Sequence, residues 1–154
     1  MKITLTFRFM ETLIQPIIQI TEIAQLLSSC ELPVSDIEAS ESLVFFGYRN
    51  RSYLTGVIGL ELYETVALLR SLAIAPSSRT HGLGSGLVTF AEEYAQSIGI
   101  ESLFLLTTTA ESFFLRLGYL PTSRQGAPPL IQSTAQFSGL CPSSSSFMSK
   151  NLRN

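Results

Sequence analysis

Charge is scarce in this chain: 14% of its 154 residues are Asp, Glu, Lys or Arg, and the net charge is −2. Its ten basic residues form no stripe or cluster, which excludes the electrostatic footprint of a nucleic-acid binder. The one histidine, His81, and the two cysteines, Cys30 and Cys141, fit no metal-ligand or redox spacing. No metal is therefore expected, and the two cysteines are read as free thiols. Long hydrophobic runs are missing too, although 45% of the residues are hydrophobic. Arg8, Glu11, Arg49, Arg51, Glu61, Glu64 and Arg70 interrupt every candidate short of the roughly 18 apolar residues a membrane helix needs. Arg8 and Glu11 also break any signal-peptide core after Met1-Lys2. The expectation is a cytoplasmic protein that engages neither membrane nor nucleic acid.

The length fits one domain, 1–154, with a proper core. Ile3, Leu5, Phe7 and Phe9 alternate with Thr4, Thr6 and Arg8, the period of a half-buried strand. Apolar residues at 17, 20, 23 and 27 predict a helix over 16–28, and a polar loop with Pro33 runs over 30–40. Strands are expected over 42–49, 54–62 and 66–74, the last two as an antiparallel pair with Glu64 in its turn. The strand 66–74 is apolar on both faces except for Arg70 and Ser71, so it belongs in the sheet centre, covered on both sides. Leu83, Leu87, Phe90, Ala91, Tyr94 and Ile98 make a helical stripe ended by Gly99. A buried strand over 102–107, a short helix over 110–117, a loop beyond Pro121, helical character over 130–137 and a last strand near 146–150 complete the chain. The series is a mixed-sheet α/β domain.

The most informative stretch is 69–87, where an apolar strand ends at Pro76 and Gly82, Gly84 and Gly86 open a helix. Backbone N–H groups converge at such a start, where the helix dipole favours an anion. A dinucleotide fingerprint needs glycine where Leu87 stands, and a P-loop needs Lys then Ser or Thr after Gly86. Both patterns fail. The arrangement Arg79-x-x-Gly82-x-Gly84 at a strand-to-helix junction instead resembles the acetyl-CoA pyrophosphate loop of the GNAT acetyltransferases. A second block, Leu105 to Tyr119, resembles that family's strand-then-helix element ending in a glycine and an aromatic residue. Its Thr107-Thr108-Thr109-Ala110 wording, with 134–137 and 140–144 downstream, is similar to the small arsenic-resistance N-acetyltransferases.

The resemblance implies a mostly antiparallel central sheet flanked by helices and splayed open between its fourth and fifth strands. It implies acetyl-CoA as cosubstrate. The pantetheine arm would lie along Leu72, Ala73 and Ile74, and the diphosphate on Arg79, Thr80, His81, Gly82, Leu83, Gly84 and Ser85. Thr107 and Phe114 would line the same cleft, with Arg70, Ser71 and Thr108 towards the acceptor. The function implied is acetylation of a small-molecule amine, an amino acid or toxic analogue, by a monomer or homodimer. The alternative is a non-catalytic acyl-CoA-binding or sensing domain.

Acetyl transfer needs a neutral amine, a stabilised oxyanion and a proton for the departing thiolate. The Leu72 N–H is the expected oxyanion donor, and such a donor is worth about 3 kcal/mol. Glu61 is the first candidate base, although an α-amine of pKa near about 8 is partly neutral already. Glu61 could instead pair with Arg70 across the two strands, or simply face water. Arg70, a cation in an apolar strand, requires a carboxylate; Glu61 and a substrate carboxylate both qualify. Phe114 stands where many relatives place the tyrosine that protonates the thiolate, and it has no proton to give. Thr107 or Thr108 could order a water there. His81 falls in the diphosphate loop, away from the thioester. Cys141 alone is a poor site for trivalent arsenic unless Cys30 lies beside it.

Overall fold

The computed structural model describes residues 13–38, 41–79 and 82–153. One seven-stranded sheet organises them in the order β1-β2-β3-β4-β5-β7-β6. Its strands are β1 (Ile14–Pro16), β2 (Leu43–Asn50), β3 (Tyr53–Tyr63), β4 (Val66–Ile74), β5 (Ser102–Thr107), β6 (Leu120–Pro121) and β7 (Ser146–Asn151). Every pairing is antiparallel except β4 with β5. The helices are α1 (Ile20–Ser29), α2 (Leu83–Ser97), α3 (Glu111–Arg116) and α4 (Pro129–Gln132).

The centre of the sheet is covered on both faces, as the apolar strand 66–74 requires. On one side Leu83, Leu87, Val88, Ala91 and Ala95 of α2 pack on Ile58, Leu60, Ala67 and Leu69. On the other, Ile23, Leu26 and Leu27 of α1 meet Phe45, Val57 and Ala73. A third cluster joins Leu68, Phe104 and Phe147 to Ile131 of α4. Phe90 and Tyr94 flank the Phe46 ring, with centroids 5.1 and 4.7 Å away. Ile98, expected in the buried stripe, is 46% exposed because it caps the helix end. Gly99 follows with a φ of +92°, the left-handed cap a glycine supplies. Among the described residues no helix is long and apolar enough to cross a membrane.

Two expectations need correction. The helix placed over 16–28 starts only at Ile20, because Pro16 pairs with Phe46 as the last residue of edge strand β1; proline tolerates an edge. The helical segment expected over 130–137 breaks after Gln132, and a five-residue π-turn, Gln136–Leu140, follows. The loop expected beyond Pro121 is present, and the two residues before it form the short strand β6 against Met148 and Ser149. The strand expected over 3–9 lies outside the described residues.

Candidate active site

Strands β4 and β5 pair only through Val66, Ala67 and Leu68 against Ser102, Leu103 and Phe104. Beyond Leu68 they part, so the β5-facing edge of β4 from Leu69 to Ile74 has no strand on it. The same stretch carries a bulge. Gly59 faces Arg70 and Val57 faces Ala73, so Ser71 and Leu72 together oppose Ile58. Ser71 takes a φ of +57°, a left-handed conformation that costs a non-glycine residue about 1–2 kcal/mol. The β3–β4 ladder is therefore broken at the residue whose N–H was expected to meet the oxyanion.

Two adjoining cavities fill the splay, sharing Leu32, Leu72 and Thr109. The first, about 460 Å³, is walled by Ala73, Ile74, Arg79, Gly82, Gly84 and Ser85, with Cys30 and Phe113 opposite. Here α2 begins. Gly86 N–H donates to the Gly82 carbonyl as the first helical bond, so the amides of Leu83, Gly84 and Ser85 have no intrahelical acceptor. Gly82 has a φ of +70°, and none of the described residues beyond its chain neighbours lies within 4 Å of a β-carbon built on it. None of these described residues blocks an anion from this backbone. Arg79 is exposed and donates from Nε to the Ile74 carbonyl (2.9 Å), while Nη2 contacts the Cys30 sulfur (3.6 Å). Its charge stands at the cavity mouth, though it occupies a carbonyl expected to serve the pantetheine arm. Thr80 and His81 lie outside the described residues.

The second cavity, about 350 Å³, lies deeper between β4 and β5. Arg70, Ser71 and Leu72 line one wall, Leu105 to Ala110 with Phe114 a second, and Leu140, Cys141, Pro142 and Ser145 a third. The 30–40 loop closes it with Glu31, Leu32 and Pro33. The Thr107 hydroxyl caps the start of α3 by accepting from Ala110 N–H (3.0 Å). Phe114 is buried edge-on to both Phe113 and Tyr119. Ser145 Oγ is a buried oxygen without a hydrogen-bonding partner among the described residues.

Arg70 organises the charge beneath this pocket. Its side chain is 0% exposed, against 3% for Glu61 and 15% for Asp36. Nη1 donates to Glu61 Oε1 at 2.7 Å and to Asp36 Oδ2, and Nη2 donates to Asp36 Oδ1 at 2.8 Å. Nε donates to Ser71 Oγ (3.0 Å), and Tyr63 donates its hydroxyl proton to Glu61 Oε2 (2.6 Å). Burial works against the Arg70 charge, but the Asp36 and Glu61 carboxylates outweigh it and hold its pKa above the ordinary guanidinium value. With both carboxylates ionised, the three residues sum to one negative charge.

Arg70 thus meets Glu61, one of its two expected partners, and also Asp36, a residue the sequence reading missed. Glu61 is committed to Arg70 and Tyr63 and is absent from the pocket wall. Thr108 and Thr109 line the pocket, Thr109 at its junction with the first cavity. Cys30 and Cys141 are free and line different cavities. Burial pushes the Cys141 thiol up, against the opposing pull of Arg70 and Arg124, which makes it a weak nucleophile. Among the described residues no group of His, Cys, Asp and Glu could hold a metal.

The chain is similar to known proteins in sequence and in fold. Residues 35% identical over 69 positions occur in the amino-acid acetyltransferase of Pseudomonas paraeruginosa, covering 45% of this chain and 16% of that protein. The chain thus spans under a fifth of the curated relatives it matches. N-acetylglutamate synthase from Neisseria gonorrhoeae, solved with coenzyme A and N-acetyl-glutamate, superposes with a TM-score of 0.74 at 20% identity, covering 92% of this chain and 35% of that one. Rv2747 from Mycobacterium tuberculosis, solved with CoA and NLQ, gives 0.74 at 18% identity, covering 91% and 99%. At those identities the likeness concerns the fold. The family model for the acetyltransferase (GNAT) family matches residues 16–119, and this chain belongs to that family.

Proposed function

We propose that the protein is an acetyl-CoA-dependent N-acetyltransferase that acts on the amine of a small molecule. The observation that carries this reading is that the two cavities adjoin at Leu72, in the bulge of β4. The helix start at Leu83, Gly84 and Ser85, with Arg79, offers donors for a diphosphate. The unpaired edge at Leu72 to Ile74 suits an extended amide-bearing arm bound like an added strand. Bound there, acetyl-CoA supplies the activated acetyl group.

This chain's residues then have three tasks. The Leu72 N–H receives the negative charge that develops on the thioester oxygen. The deeper cavity holds the amine, with Thr107, Thr108 and Ser71 as polar groups on its wall. Glu61 faces Arg70 and Tyr63, so as a base it would work through a water between it and the amine rather than by direct contact. Phe114 supplies no proton, and the CoA thiol is acidic enough to leave without one, at a rate lower by about 10²-fold.

Relatives named as amino-acid acetyltransferases support an amino acid or close analogue as acceptor. The likeness to arsenic-resistance enzymes adds glutamate-like arsenicals and phosphinic amino acids to that class. A second reading is favoured by Arg70 itself. Its guanidinium is already met by two carboxylates, so the acceptor is held by its ammonium group and needs no carboxylate. Release of free CoA thiol with a panel of amines, with and without carboxylates, separates the readings. Turnover confined to carboxylate-bearing amines supports the first. Faster turnover of the decarboxylated partners supports the second, and CoA binding without turnover on any amine leaves an acyl-CoA-binding domain instead.

A further inference from the structure

The bulge that presents Leu72 is built from an unfavourable residue. Ser71 is β4's left-handed position, with a φ of +57°, and a side chain stays in such a conformation only where its surroundings over-determine it. One set of contacts does so here. Arg70 Nε donates to Ser71 Oγ at 3.0 Å, and the Arg70 guanidinium plane is pinned at its far end by both oxygens of Asp36. Asp36 belongs neither to the sheet nor to a helix. It sits in the loop between α1 and β2, 34 residues before Arg70. Glu61 and Tyr63 fix the remaining side of the guanidinium from β3.

We infer that Asp36 is a positioning residue: acting through Arg70 and Ser71, it locks the β4 bulge in the conformation that aims the Leu72 N–H into the cleft. This rests on the reading of Leu72 as the oxyanion donor. The carboxylate makes two parallel bonds to the guanidinium, which fixes its plane as well as its place. A fixed plane fixes Nε, and Nε holds Ser71 Oγ. Without Asp36, Arg70 can swing about its bond to Glu61, and Ser71 is free to relax to an ordinary extended φ. That relaxation turns the Leu72 amide away while leaving the diphosphate end of the cleft, at Arg79 and at Leu83 to Ser85, untouched.

The test is a double-mutant cycle with Asp36→Asn and Ser71→Gly, because glycine holds a positive φ without a brace. A misaimed oxyanion donor is worth about 10–100-fold, so D36N lowers kcat by about that factor for every acceptor. KM for acetyl-CoA stays within about threefold. In the S71G background the same substitution lowers kcat less than about threefold. Equal losses in both backgrounds overturn the inference, as does an effect confined to KM for cationic acceptors, which marks Asp36 as a charge on the pocket. If D36N folds poorly, Arg70→Lys serves in its place. Lysine keeps the charge but cannot bridge Asp36, Glu61 and Ser71 together, so wild-type kcat in R70K is equally fatal.

A readout independent of turnover is the ¹⁵N–¹H resonance of Leu72 with coenzyme A bound. It shifts on D36N in the wild-type background and stays in place on D36N in the S71G background. An unmoved Leu72 resonance in D36N refutes the brace while CoA binding survives. Failure of the wild-type protein to bind coenzyme A refutes the functional reading on which it rests.

Discussion

Arg70→Met removes the cation from a site that was assembled around it. The arginine side chain is wholly buried, and Glu61 at 3% exposure keeps only the Tyr63 hydroxyl once the guanidinium is gone. Breaking a buried pair by removing one partner typically costs about 3–5 kcal/mol. Asp36, at 15% exposure, lies nearer water and can turn towards it, so most of the loss comes from Glu61. We expect about 4 kcal/mol by urea unfolding, or a midpoint lower by about 8–16 °C for a domain of this size. Adding Glu61→Gln removes the stranded charge and restores about half of the loss. A deficit under about 1 kcal/mol would show that the three charges are solvated, and would refute the buried network.

Phe114→Tyr places a phenol where the cleft lacks an acid, and kcat should rise by up to about tenfold; a fall with unchanged CoA affinity would place Phe114 as packing alone. Tyr119 is buried and donates to Glu92 Oε2 at 2.8 Å, and burial, then Glu92, raise its pKa far above the free phenol. Folded protein thus holds this proton above pH 10 where the unfolded chain loses it, and wild-type stability falls there by up to about 1.4 kcal/mol per pH unit. Tyr119→Phe, less stable by about 1 kcal/mol at pH 8, should close that gap by pH 11; a constant gap refutes the assignment. Ser145→Ala removes an unpartnered buried hydroxyl, so stability should be unchanged or up to about 1 kcal/mol higher; a loss beyond that would reveal a partner for the hydroxyl.

What could be read from the chain alone follows how local each signal is. The helix start is written in consecutive residues, Arg79 to Gly86, where only glycine geometry and an unobstructed backbone are needed. Strand β4 was legible for a similar reason, since nine residues apolar on both faces but for Arg70 and Ser71 fit a central strand. Asp36 was not legible, because its partner lies 34 positions away and a lone aspartate in a polar loop looks like any solvated charge. The Ser71 bulge was equally silent: Leu-Arg-Ser-Leu contains no glycine or asparagine to announce a positive φ, and tertiary contacts override the local preference. Strand β1 is three residues held by Phe46, Gly47 and Tyr48, and such a strand exists only through its pairing. The segment 130–137 reads as one helix, but Ile131 and Phe137 pack on the Phe147 side of the sheet from separate pieces.

Coenzyme A is proposed to bind on the amides of Leu83 to Ser85 and the open edge of β4. Calorimetric titration of coenzyme A into the folded protein reads this out, beside Gly82→Ala, where a φ of +70° disfavours a side chain. One saturable site is expected, with a Kd within the roughly micromolar-to-millimolar span of enzyme substrates, weakened by about fivefold or more in the variant as the strained loop relaxes. No heat of binding at millimolar coenzyme A, acetylated or free, would contradict it.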